Sequence, residues 1–332
     1  MSPRRGRAGG QGGAGAPRRG TGPSAGKGRG TGGQRATSGG GRPSAPPPTK
    51  LTTRRTQPPA IPTGRRGRVS SSGRGLGGDQ VEGRQAVREL LLAGTRRVHE
   101  VWLEADAGDA SILRDIRELA EANRVPVNVV GRGRFSARAR SEAPQGVLAL
   151  AARLPEADLD DLIASPRPAP GPARGGGGNP PAAPFLVALD GVTDPGNLGA
   201  ILRSAECAGV TGVVLPRHRA VHVTPAATKA AAGAVEYLPI AVVGGLPAAL
   251  ARLRDAGVHV IGLEGQAATS LYEMAAPDGP VCLVLGAEGR GLSRLVRERS
   301  DELVAIPMHG RLGSLNVSAA AALACFEIAR RR

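Results

Sequence analysis

The sequence predicts an α/β protein whose C-terminal half is built around a parallel sheet. Three observations carry this. From Phe185 onward, short β-branched apolar runs alternate with helical stripes, the pattern of strands covered by helices on both faces. The run 281–285 (VCLVL) is continuously apolar, as a strand buried on both sides must be, and Gly286 stops it. Two strands run into glycine-bearing polar loops, 286–291 and 310–316, where backbone can approach a ligand closely.

Four segments follow from composition and pattern: an arm over 1–78, a small α/β module over 79–153, a connection over 154–184, and the sheet domain over 185–332. The arm holds 16 of the 44 lysines and arginines and no acid, which leaves 28 basic residues against 28 acidic ones in the rest. The whole excess of +16 therefore belongs to the arm. Rich in glycine and proline and almost without large apolar side chains, it cannot offset its ordering entropy by burial and is expected to be disordered. Its glycine and proline density also forbids the amphipathic helix of a transit peptide. No apolar run approaches the roughly 20 residues of a membrane span. A soluble, cytoplasmic protein is expected, with no membrane and no metal among its partners.

In chain order, residues 81–92 place Val87, Leu90 and Leu91 on one helical face. A strand over 98–103 carries the only tryptophan, Trp102. Residues 110–123 show an apolar stripe of Ile112, Leu113, Ile116, Leu119 and Ala120, and strands follow at 125–130 and 145–150. Between those strands lies a basic loop, 131–140, with four arginines, readable equally as a solvated surface or an RNA contact. Residues 165–184 (SPRPAPGPARGGGGNPPAAP) are linker in composition. The second domain opens with a strand over 185–190, a loop over 191–199 and a helix over 200–208. Strand 212–216 comes next, then a helix with Thr224 as N-cap and Pro225 at its first position. Strands over 237–243, 258–263 and 303–306, a helix over 246–256 and a final alanine-rich helix over 319–329 complete the alternation.

Loops that follow the carboxyl ends of parallel strands meet at one edge. They would gather Asn197, Arg203, Glu288, Ser314 and Asn316 around glycine-lined backbone. An arginine, a carboxylate and amides suit holding a phosphodiester and orienting a hydroxyl. The plainer alternatives are that Asn197 caps the helix beside it and that Glu288 is a solvated loop carboxylate. The order G-x-x-G-x-G at 286–291 is not the dinucleotide fingerprint, which argues against a nicotinamide oxidoreductase, and no P-loop occurs. Cys207, Cys282 and Cys325 are too far apart for a zinc motif and are expected to be buried free thiols. Spacing alone supports an α/β ligand-binding domain on an RNA-binding protein.

Three stretches, DPGNLGAILRSA at 194–205, LGAEGRGL at 285–292 and IPM with SLNVS at 306–318, resemble the motifs of the SpoU/TrmH (SPOUT) RNA 2′-O-ribose methyltransferases, in that family's order. The likeness covers 185–332 closely. It extends more weakly to VEGRQAV and PQGVLA in the first module, which resemble the family's ribosomal-protein-L30-like substrate-binding domain. The resemblance implies a C-terminal domain threaded into a deep trefoil knot, S-adenosylmethionine as cofactor, and a homodimer with composite active sites. Gly286, Ile306 and Leu315 would contact the cofactor, and Asn197, Arg203, Glu288, Ser314 and Asn316 would form the catalytic group. The resemblance implies Arg203 as the activator of the hydroxyl, either as a base helped by the substrate phosphate or, the preferred role because a guanidinium is hard to deprotonate, as a stabiliser of the developing alkoxide. The two-domain form resembles the branch methylating a guanosine of large-subunit (23S) ribosomal RNA. A tRNA ribose methyltransferase and a non-catalytic ribosome-assembly factor are the alternatives. One departure is Ala231, where the family usually has serine.

Overall fold

The structure is a computed structural model that describes residues 76–108, 110–164, 167–168, 181–218 and 222–332, all within one compact unit spanning 62–332. The arm expected over 1–78 lies outside the described residues up to position 75. Its last three residues belong to the fold: Leu76 is buried and Gly77 bridges to Val223.

The first sheet is made by β1 (Gln80–Glu82), β2 (Val98–Glu104), β3 (Val127–Val130) and β4 (Val147–Ala151), in the order β1-β4-β2-β3. β2 and β3 are parallel, and β4 runs antiparallel to both β1 and β2. Helices α1 (Arg84–Ala93) and α2 (Ser111–Ala122) bury Val87, Leu90, Leu113 and Ile116 against one face, which receives Val101 and Leu103. Trp102, one residue out of phase, points to the other face, as a period of two requires.

The structure corrects the sequence reading at two places here. The stretch 81–92 is not one helix: Val81 lies in β1, and Gly83 turns the chain at φ 97 before α1 begins. The basic stretch 131–140 is not a loop either, since α3 spans Arg132–Arg138. Its one large apolar residue, Phe135, is 1% exposed under Val130 and Leu148 and anchors the helix. A single anchor among arginines leaves no helical period to read.

Residues 154–184, expected to be a connection throughout, are structured at the start. Leu154 is buried, β5 (Glu156–Ala157) joins the large sheet, and α4 (Leu159–Ala164) buries Leu159 and Leu162. Beyond it β6 (Arg167–Pro168) pairs antiparallel with β7 (Pro181–Ala182), and the residues between them are outside the described set.

The large sheet continues with β8 (Phe185–Asp190), α5 (Pro195–Cys207), β9 (Gly212–Pro216), α6 (Pro225–Ala230), β10 (Ile240–Val243), α7 (Leu246–Asp255) and β11 (His259–Leu263). It closes with β12 (Thr269–Ser270), β13 (Val281–Gly286), α8 (Arg294–Glu298), β14 (Glu302–Ala305) and α9 (Val317–Arg331). Eight strands lie in the order β12-β14-β11-β13-β8-β9-β10-β5, and every pair is parallel. Phe185, Val187 and Leu189 enter the core on one face, and Leu186 and Ala188 enter the core on the other. β13 divides the same way, with Leu283 on one side and Cys282 and Val284 on the other. An all-parallel sheet covered on both faces is the predicted architecture.

Three details differ from the sequence reading. α5 starts at Pro195, so Asn197 sits in a first helical turn and not in a loop. Tyr237 precedes β10 in a turn that follows the short 3-10 helix Ala234–Glu236. Cys207 is exposed, whereas Cys282 and Cys325 are buried, and burial pushes each of their thiols up to about 12. α5 and α6 meet closely because Gly199 has no side chain: a Cβ there would come within 2.4 Å of the Ala227 carbonyl oxygen. Among the described residues no helix is long and apolar enough to cross a membrane, and no cluster of metal-ligating side chains occurs.

Candidate active site

β8 and β13 are neighbours in register, with Asp190 opposite Gly286, yet the chain leaves them in opposite directions across the sheet. Such a reversal opens a crevice at the strands' carboxyl ends. Asp190 closes its floor, its Oδ2 accepting the Ser293 backbone N–H at 2.6 Å. Asp194 is the N-cap of α5 and accepts the Asn197 N–H at 2.6 Å, with Pro195 pre-set at the first helical position.

Capping fixes the backbone at Asn197, and a chain of amides fixes its side chain. Asn316, the N-cap of α9, accepts at Oδ1 from the Ser318 N–H (2.9 Å) and hydroxyl (2.6 Å). That occupies its oxygen and leaves Nδ2 to donate to Asn197 Oδ1 at 2.9 Å. Asn197 Nδ2 must then face Glu288, whose Oε2 it reaches at 3.4 Å. One residue from each of three motifs is thereby held in a single hydrogen-bonded line.

Two cavities meet at this line. The first, about 520 Å³, is lined by Asp190, Asp194, Asn197 and Ser293 among others. The second, about 420 Å³, is lined by Glu264, Gly286, Ile306, Ser314 and Leu315 among others. Ala287, Glu288, Arg290, Gly291 and Val317 line both and form their common wall. Both volumes fall in the range of small-molecule sites, about 300–1,000 Å³. Gly286 is a close-approach position: a Cβ there would lie 2.2 Å from the Gly291 carbonyl carbon, because the loop doubles back through paired hydrogen bonds between Ala287 and Gly291. Flat apolar walls from Ile306 and the 40%-exposed Leu315, beside bare backbone, suit a purine.

Of the eight residues singled out from the sequence, seven line one or other cavity or belong to the amide chain beside them. Arg203 lines neither. It lies exposed on α5, six residues beyond Asn197, so about 9 Å further along the helix and about a third of a turn round. Asp190, Asp194, Ser318 and Glu264 were not singled out from the sequence. The Asp194-Pro195 pair carries the same cap-and-proline signal as Thr224-Pro225 and could have been found by it.

The profile of the SpoU rRNA Methylase family matches residues 184–326, and that for RNA 2′-O ribose methyltransferase substrate binding matches residues 80–157. The chain is similar to the Shewanella oneidensis protein named 23S rRNA (guanosine-2'-O-)-methyltransferase RlmB, at 39% identity over 257 residues, covering 76% of this chain and 98% of that one. A Burkholderia protein of the same name is 39% identical over 253 residues, covering 76% and 96%. Among solved structures, the AdoMet bound rRNA methyltransferase from Sinorhizobium meliloti superposes with a TM-score of 0.59 at 26% identity, covering 76% of this chain and 86% of its own.

Proposed function

Because the chain belongs to the SpoU rRNA methylase family and is an RNA 2′-O-ribose methyltransferase, we propose that its substrate is a guanosine of 23S ribosomal RNA and that S-adenosylmethionine is its methyl donor. The observation that carries this reading is the common wall: its carboxylate, Glu288, stands between the two cavities and is held from the side by the aligned amides of Asn197 and Asn316.

In this reading the second cavity takes the cofactor, with Gly286, Ile306 and Leu315 around the adenine and Ser314 at the rim. Bound there, the cofactor supplies a methyl group on a sulfonium, already a good electrophile. The protein's part is to position a weakly acidic hydroxyl beside it. The first cavity takes the ribose. Glu288 accepts the hydrogen bond of the 2′-hydroxyl, holds a lone pair of that oxygen toward the second cavity and takes up the proton when the oxygen is methylated. Asn197, locked by Asn316, keeps that carboxylate from rotating away. Arg203 serves the site of a second copy, where it would stabilise the developing alkoxide, and its place outside both cavities of its own chain supports a homodimer with composite sites.

Residues 79–153 are then an L30-like RNA-binding domain and 185–332 the methyltransferase domain, its C-terminal part passing through a deep trefoil knot. The packing of the last helix, α9, back against α5 and β13 supports that reading. Mapping 2′-O-methylation of ribosomal RNA in a deletion strain tests the assignment. One guanosine of 23S RNA should lose its methyl group and regain it on complementation, and an unchanged map would overturn the substrate.

A further inference from the structure

Glu264 stands just past the carboxyl end of β11 with its side chain in the second cavity, 16% exposed. Its Oε2 is buried and accepts no hydrogen bond. Arg297 Nε lies 2.9 Å from that oxygen and pairs with it, which fixes the carboxylate and leaves Oε1 as the oxygen open to the cavity. A carboxylate oxygen held at a cavity wall by such a pair is a strong acceptor for a ligand's hydroxyls.

Its position says which part of the ligand would do so. The methyl-bearing sulfur must face the common wall, since the ribose to be methylated lies beyond it. Ile306 and Leu315 offer the apolar slot for the purine. Within the cofactor the sugar joins purine to sulfur, so the sugar spans the space between slot and wall. Glu264 borders that space on both sides: it follows Leu263 of the cavity lining, and a Cβ built on Gly291 of the common wall would lie 3.2 Å from each of its carboxylate oxygens. A carboxylate at the end of a parallel strand is well suited to accept from a ribose diol.

The geometry points to Glu264 as the residue that recognises the hydroxyls of the cofactor's own ribose. The inference rests on the reading of the second cavity as the cofactor site. Calorimetric titration of the full-length protein with S-adenosylhomocysteine, its 2′,3′-dideoxy analogue and 5′-methylthioadenosine tests it without any turnover. Wild type should bind the dideoxy analogue about tenfold more weakly than the parent, the scale of a lost charge-assisted hydrogen bond. Glu264→Gln and Glu264→Ala should weaken the parent about tenfold and shrink the dideoxy penalty to about threefold or less. A wild-type penalty below about threefold overturns the proposal whatever the variants do. So does a variant that keeps the full penalty, or one that loses only its preference for S-adenosylhomocysteine over methylthioadenosine, which would place Glu264 on the amino acid's ammonium. If wild type binds none of the three, it is the cofactor reading of the cavity that fails.

Discussion

Arg96 and Glu236 form a bidentate ion pair that joins the two sheets: Nε and Nη2 donate to the two carboxylate oxygens at 2.9 and 2.7 Å, with side chains 3% and 0% exposed. Arg96 comes from the connection between α1 and β2, and Glu236 from the 3-10 turn before β10. The remaining nitrogen, Nη1, donates to the carbonyls of Gly78 and Ala152. Removing one member leaves the other charged and buried, so Arg96→Ala should cost about 3–5 kcal/mol in urea denaturation. The double change Arg96→Met with Glu236→Leu should cost much less than the sum of the singles, because no charge is stranded.

Asn316 does two jobs, and they separate by assay. Asn316→Ala removes the cap of α9, worth about 1 kcal/mol, and frees Asn197 to turn from Glu288. Asn197→Ala removes the aligned amide without touching that cap. Both should slow single-turnover methyl transfer about a hundredfold, while only Asn316→Ala lowers the melting temperature appreciably. Cofactor affinity should change little in either.

Arg203→Ala and Glu288→Ala should each be inactive alone. If the arginine serves the neighbouring copy's site, refolding them together rebuilds one complete site in each mixed dimer. Random pairing then restores about a quarter of wild-type activity. Mixed protein that stays inactive would place Arg203 in its own chain's site or outside the reaction.

The cationic arm should set affinity and not the nucleotide chosen. If its 16 unopposed positive charges neutralise about six phosphates, deleting residues 1–75, which spares the folded Leu76–Gly78, flattens the salt dependence of RNA binding by about four units of slope. The modified position should stay the same. An unchanged slope would remove the electrostatic role, and a shifted position would give the arm a part in target choice.

Glu327 ties down the end of α9. Arg330 and Arg331 hydrogen-bond its carboxylate and hold it down at about 2, and Arg331 also donates to the Met274 carbonyl at 2.6 Å. A carboxylate depressed in the folded state stabilises above its ordinary value of 4.5, and that stability is lost as pH falls toward 2. Glu327→Gln should therefore melt a few degrees below wild type at neutral pH. The gap should narrow below pH 4.5 and close near pH 2.

Strands β8 and β13 were legible because full burial on both faces writes a continuous apolar run, and Thr224-Pro225 was legible because cap and proline are local chemistry. β1 was absorbed into the helix beside it, since three residues are too few to show a period of two. α3 carries its only anchor, Phe135, inside a run of arginines. Within the site, Asn197 and Asn316 could be named from motifs, but the order of donors along the amide chain depends on Ser318 and on strand register. Glu264 was invisible for a different reason. A single carboxylate after a strand acquires meaning only when the chain folds a second loop against it. Arg203 shows the converse limit: its spacing from Asn197 tells which side of the helix it occupies, and the structure places it outside both cavities.

The distribution of the three cysteines has a practical side. With Cys282 and Cys325 sealed in the two cores and their thiolates suppressed, maleimide chemistry has one addressable position among the described residues, Cys207. It sits one helical turn beyond Arg203 on α5, and burial with the neighbouring Glu206 raises its own thiol, so coupling calls for mildly alkaline buffer. A spin label or fluorophore placed there, with no substitution anywhere in the chain, would show whether two copies associate and would report the approach of RNA to that helix.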